Sequence, residues 1–209
     1  MQGLMMDFPL TITSIMEHAE RVHGAQEIVS VTRDNPRHRY TYADAFGRVR
    51  QLANAMNAWG MESSDRIATL AWNDYRHFET YYASACSGYV CHTINPRLFP
   101  EQIVYIINHA EDQFVFLDPD FWPLIEQVAP QCPGVKGWVV MTTAEHMPET
   151  ALANVHCYED VIESSLTALI GLPSTRTKPV RFATPQVPPA TLRVFFTAIA
   201  QRSFTRTRP

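Results

Sequence analysis

The 209-residue chain predicts an α/β fold built on a mainly parallel, doubly wound sheet flanked by helices, and two observations carry that expectation. Apolar residues at helical spacing recur along the first 165 positions, and between them lie short apolar runs of strand length. Strands that alternate with helices call for crossover connections, which are right-handed in almost every known sheet.

The first helix is expected over Ile12 to Val22, followed by a strand at Ile28 to Val31. Thr41 opens the second helix, Tyr42 to Trp59. Its hydroxyl suits an orphan amide of the first turn, and Asp44, three residues on, completes a capping-box-like pair at the positive helix end. A strand at Arg66 to Ala71, a helix at Tyr75 to Tyr89, a strand at Val90 to Thr93 and a helix at Pro100 to His109 come next. Phe114 to Leu117 and Gly137 to Met141 read as strands around a helix at Phe121 to Val128. Asn95-Pro96-Arg97 reads as a turn, with Pro fixing φ and Asn held extended before it. Asp118-Pro119-Asp120 is a strand-to-helix turn with Asp120 as the expected N-cap. No internal repeat appears, and the folded part is long enough for one sizeable core.

A formal charge of −4 and a pI near 6.0 argue against nucleic acid as a partner of this body. No run of 18 uncharged apolar residues occurs, so no integral membrane segment is expected. The N-terminus lacks the basic start and long apolar core of a signal peptide, which makes the cytoplasm the expected location. Cys86, Cys91, Cys132 and Cys157 form no CxxC pair and are expected to be reduced, packed thiols.

None of the residues that invite a sharper reading earns a catalytic, cofactor-binding or metal assignment. Cys86 falls on a helix while Cys91 and His92 alternate along a strand, so the three do not converge on a metal. His77 and Glu79 are two apart on a helix and face different ways, a poor acid/base pair. A surface or packing role is expected for them, and loop anchoring for Arg97.

Composition changes abruptly at about Leu166. Beyond it there is no Asp or Glu, while seven of the 17 Lys and Arg residues and six of the 15 prolines fall there. A basic, disordered tail after about 166 is the plainest reading. A reading-frame slip accounts for more. If each tail codon begins at the second nucleotide of an ancestral codon, synonymous codons for Pro185 to Thr191 allow the neighbouring frame to spell T-S-G-T-T-G-N. Those for Leu192 to Thr205 allow it to continue P-K-G-V-L-Y-S-H-R-S-T-V-L-H. Each restored position fixes about one nucleotide, so a ten-residue match by accident is on the order of one in a million before choice of motif and frame. Residues 9–165 are therefore expected to be native domain and residues 166–209 a frameshifted, non-native tail.

The restored T-S-G-T-T-G-N-P-K-G resembles the phosphate-binding signature of the AMP-forming acyl-CoA synthetases, within the adenylate-forming superfamily. Small residues and Gly let backbone N–H groups approach the phosphates, and Lys adds charge. The in-frame sequence is similar to the same family in order. Thr41-Tyr42-Ala43-Asp44 through Ala55, Asp65 to Asn73, Tyr75 to Gly88, His92-Thr93-Ile94-Asn95-Pro96-Arg97-Leu98, Tyr105 to Asp112 and Phe116-Leu117-Asp118 resemble the branch acting on medium- and long-chain acids.

The resemblance implies an incomplete N-terminal subdomain of the adenylate-forming fold. In an intact enzyme of this kind, a fatty acid and ATP with Mg²⁺ give an acyl-adenylate and pyrophosphate, and the thiol of coenzyme A then displaces AMP. Fatty acid and coenzyme A are the implied partners, with a homodimer as a further one. Positions Pro185 to Val194 contain no Gly, and Pro185, Pro188 and Pro189 lack backbone donors, so this chain carries no phosphate loop. It is expected to be a truncated, inactive fragment of an acyl-CoA synthetase with no cofactor of its own. The alternative is a non-enzymatic α/β binding or dimerisation module with a basic disordered tail.

Overall fold

The computed structural model describes residues 11–165, so the expectations for residues 9–10 and for the tail 166–209 lie outside the described residues. The elements run α1 (Ile12–His23), β1 (Glu27–Ser30), β2 (His38–Thr41), α2 (Tyr42–Ala58), β3 (Arg66–Leu70), α3 (Tyr75–Ser87) and β4 (Val90–Thr93). They continue with α4 (Pro100–Ala110), β5 (Phe114–Leu117), α5 (Trp122–Val128), β6 (Gly137–Val140), β7 (Val155–Cys157) and α6 (Tyr158–Glu163). Single 3₁₀ turns lie at Pro119–Phe121, Ala129–Gln131 and Ala144–His146.

Five parallel strands form one sheet in the order β4-β3-β5-β6-β7. Alternate side chains of these strands enter two separate apolar layers, as a period of two requires. Ile67, Phe114, Phe116 and Val139 face α1, α2, α3 and α6 through Met16, Phe46, Leu52, Met56, Cys86 and Tyr158. Ala68, Leu70, Val115, Leu117, Trp138 and Val140 face α4 and α5 through Ile103, Ile107, Trp122, Ile125 and Val128. The expected parallel sheet between helical layers is therefore present.

The helix starts are set locally. Thr41 Oγ1 accepts from the Asp44 amide at 3.3 Å, and Asp44 Oδ2 accepts from the Thr41 amide at 3.0 Å, the reciprocal capping box expected from sequence. Asp74 caps α3 by accepting from the His77 amide at 3.0 Å. Gly88 ends that helix with φ +80°, a left-handed conformation that Gly adopts without a Cβ penalty.

Three elements had no counterpart in the sequence reading. Strand β2 pairs antiparallel with β1 in a separate two-stranded ribbon, Glu27 opposite Thr41, so β1 is not a strand of the main sheet. The sequence His38–Thr41 is polar and shows no apolar alternation. Strand β7 and helix α6 are three and six residues long, too short for a period to register. At the end of β5, Asp118 takes the N-cap position of the 3₁₀ turn instead of Asp120. The turn starts one residue after Asp118, because Pro119 suits its first position.

Candidate functional site

The chain leaves β3 through α3 toward β4 on one side, and later leaves β5 through α5 toward β6 on the other. The connections after β3 and β5 therefore diverge onto opposite layers, and a cleft opens at the carboxyl ends of these neighbouring strands. In open α/β sheets this is where ligands bind. The cleft has a volume of about 250 Å³. Thr32, Arg33 and Asp34 from the β1–β2 loop form one wall, Asp118 and Pro119 after β5 another, and Met141 and Thr142 after β6 a third. His146 and Pro148 close the rim, and Arg76 lines the interior.

Arg76 is buried because every face of its guanidinium has a partner. Nη1 and Nη2 donate to Asp34 Oδ1 at 3.1 Å and Oδ2 at 2.7 Å, a two-pronged pair. Nε donates to Glu159 Oε1 at 2.7 Å, and Nη1 also reaches the Met141 carbonyl at 3.1 Å. Arg48 extends the network, with Nε donating to Glu79 Oε1 at 2.8 Å and Nη2 to Glu159 Oε2 at 2.9 Å. The Tyr158 hydroxyl donates to Glu79 Oε2 at 2.8 Å and the Tyr75 hydroxyl to Glu159 Oε1 at 2.9 Å. Two arginines and three carboxylates thus join α2, α3, α6 and the β1–β2 loop.

The environment sets the protonation of these acids. Burial opposes ionisation of Asp34, but the hydrogen bonds from Arg76 and Thr32 and the Arg76 charge outweigh it and hold the carboxyl at about 2. Burial also opposes ionisation of Glu159, where Arg48, Arg76 and Tyr75 again win and the pKa falls. Asp118 goes the other way. Burial pushes it up to about 7, opposed by the Trp72 N–H it accepts and reinforced by the nearby Asp74 and Asp120.

This arrangement does not fit a nucleotide. Phosphates need free cations or a run of accessible backbone N–H groups, typically around Gly. Arg76 is committed to Asp34, Glu159 and Met141, Arg33 pairs with Asp120 at 2.6 Å, and no glycine lines the cleft. Asp34 and Asp118 would face an incoming phosphate. Among the described residues no group of three His, Cys, Asp or Glu side chains could hold a metal ion.

The residues weighed from sequence fall as follows. Cys86 lies on α3 while Cys91 and His92 lie on β4, and all four cysteines are free and buried. His92 is buried against Asp112, with Nδ1 at 3.0 and 2.9 Å from the two carboxylate oxygens. His77 Nε2 lies 3.2 Å from Thr69 Oγ1, whereas Glu79 turns to Arg48 and Tyr158, so the two do face different partners. Asn95, rather than Arg97, fastens its turn, because Asn95 Oδ1 accepts from the Arg97 amide at 3.0 Å. Asp120 accepts from Arg33 and from the Trp72 indole instead of capping a helix. Sequence reasoning missed Asp34, Arg48, Arg76 and Glu159, whose partners are 31 to 111 residues away. Arg48 and Arg76 lie on helices with buried faces, whereas Asp34 stands in a loop and Glu159 on a six-residue helix too short for a period to register.

Residues 16–187 match the protein family described as AMP-binding enzyme. The chain is 44% identical over 167 residues to 3-methylmercaptopropionyl-CoA ligase of Ruegeria lacuscaerulensis, covering 80% of this chain and 31% of that protein. It is 46% identical over 162 residues to medium-chain-fatty-acid–CoA ligase of Ectopseudomonas oleovorans, covering 78% and 30%. It therefore spans about a third of the length of these relatives. The solved structure of the anthranilate CoA ligase AuaEII with anthranoyl-AMP superposes with a TM-score of 0.68 at 18% identity, over 83% of this chain and 32% of that one. At that identity the structural likeness bears on the fold alone.

Proposed function

Because the chain belongs to the AMP-binding enzyme family, we propose that its described body is the N-terminal portion of an AMP-forming acyl-CoA ligase and that this polypeptide does not itself activate an acid. The observation that carries the first half is the identity of 44% and 46% to two CoA ligases. The second half is supported by Pro185 to Val194, where the neighbouring frame can spell the phosphate loop and this frame supplies no Gly. The intact enzyme would join a carboxylic acid to coenzyme A through an acyl-adenylate, using ATP and Mg²⁺. The cleft of the described residues does not fit a nucleotide, so no step is assigned to it. A medium-chain acid and a short thioether acid are both substrates that the relatives' names suggest.

A homodimer belongs to the same proposal, supported by exposed Ile15 and Val22 on α1 and Val29 and Val31 on and after β1. Four free, buried thiols support a reducing compartment such as the cytoplasm. Among the described residues no helix is long and apolar enough to cross a membrane. The family match runs on to Val187, beyond the proposed slip, so the DNA decides that point.

The test compares the purified chain with the product of the same gene carrying one nucleotide inserted between the codons for Ser165 and Ala168. Acid-dependent exchange of pyrophosphate into ATP is measured on octanoate, palmitate and 3-methylmercaptopropionate. The expected result is no exchange from the chain and exchange from the repaired product. Exchange by the chain itself, or an inactive repaired product in which the family motif does not appear, overturns the proposal.

A further inference from the structure

Trp72 ties together the two loops that diverge at the switch point. Its backbone N–H donates to Asp118 Oδ2 at 2.5 Å, and its indole Nε1–H donates to Asp120 Oδ2 at 3.1 Å. Asp120 Oδ1 accepts from Arg33 Nη1 at 2.6 Å, which fastens the β1–β2 loop across the cleft. Asp118 is 7% exposed and lines that cleft.

We propose that Asp118 is a proton-operated latch for this cleft. Protonated, it lets the carboxyl groups of Asp74, Asp118 and Asp120 pack together beneath the Arg33 strap. When its proton passes to water, the charge on Asp118 repels the Asp74 and Asp120 carboxylates, and the repulsion is relieved by moving Asp120, with the Trp72 indole and Arg33, out toward solvent.

The surrounding charges decide which piece moves. From the β3–α3 loop, Asp74 is fixed as the cap of α3 through the His77 amide. From α3, Arg76 is committed to Asp34 and Glu159, so it offers Asp118 little neutralisation. From the β1–β2 loop, Arg33 is 74% exposed in its side chain, where water weakens its pull. After β6, His146 shares the cleft and its Nδ1 lies 2.8 Å from Thr143 Oγ1. The Asp120 side chain is 43% exposed and held by two surface contacts, so it has the least to lose. Burial together with Asp74 and Asp120 places the Asp118 transition at about 7.

The indole N–H resonance of Trp72, identified by its loss in Trp72→Phe, is followed in the full chain by proton–nitrogen correlation spectra. The titration spans roughly two pH units either side of neutrality. The expected result is a one-proton transition near pH 7 with faster water exchange above it. Asp118→Asn, which keeps an acceptor for the Trp72 amide, is expected to flatten the curve, and His146→Gln to leave it in place. Asp74→Asn retains a good N-cap and is expected to lower the midpoint by removing one like charge. An indole signal that does not titrate, a transition that survives Asp118→Asn, or an Asp74→Asn midpoint equal to the parent's overturns the latch. The test does not depend on ligase activity.

Discussion

Arg76 is 2% exposed and holds Asp34 and Glu159 from segments that are 42 and 83 residues away in sequence. Truncating it leaves the Asp34 carboxylate without its cation and Glu159 with Arg48 alone, which is far more costly than losing a surface pair. Arg76→Ala is expected to destabilise the fold by about 3–5 kcal/mol in urea titrations. Asp118 gives a pH signature of opposite sign to Asp34. The folded chain holds the Asp118 proton up to about 7, whereas the ordinary value is 3.8, so the stability it contributes is full below about 4 and lost as pH rises through 7. Asp34, held at about 2, contributes stability above its ordinary 3.8 that is lost as pH falls toward 2. Asp118→Asn is therefore expected to flatten the decline between pH 4 and 7 and to be more stable than the parent above it, read from urea midpoints across pH.

At the scale of elements, the capping box of α2 shows what local sequence accomplishes. Thr41 and Asp44 satisfy each other's amides at the start of a 17-residue helix whose buried face runs Ala45, Phe46, Val49, Leu52, Ala53 and Met56. Thr41→Ala is expected to cost about 1 kcal/mol in chemical denaturation without changing the far-ultraviolet circular dichroism of the folded state. The long helices and buried strands were legible because each repeats an apolar period over several turns or is apolar throughout. Strand β2 was not, because His38 and Arg39 are polar and show no apolar alternation. Its stability comes from packing of Tyr40 against Ala45 and Tyr75, with His38 stacked on Tyr75 at 3.7 Å, contacts that no local pattern announces. Helix α6 was equally hidden. It is held by Tyr158, Ile162 and Glu159 against α2 and α3, and Gln51 Nε2 donates to the Ile162 carbonyl at 3.2 Å.

At the scale of the molecule, the two apolar layers share one set of strands: neighbouring residues such as Ile67 and Ala68, or Phe116 and Leu117, contribute to opposite layers. Loss of either layer strips one face of every central strand, so the described body is expected to unfold in a single transition. Coincident urea curves from tryptophan fluorescence and circular dichroism check this, and a separated first step would show that the layers are independent. Sequence by itself determined the alternation of strands and helices, the parallel sheet, the α2 cap and the family likeness, because these rest on periods and motifs spanning few residues. It also placed Cys86 on a helix and Cys91 and His92 on a strand, as the structure has them. The strand order, the cleft at the carboxyl ends of β3 and β5, and the Asp34–Arg76–Glu159–Arg48–Glu79 network were decided by tertiary structure alone. Their partners meet across up to 111 residues, and a buried charge is tolerated where the fold delivers its counter-charge, a condition that no local stretch of sequence contains.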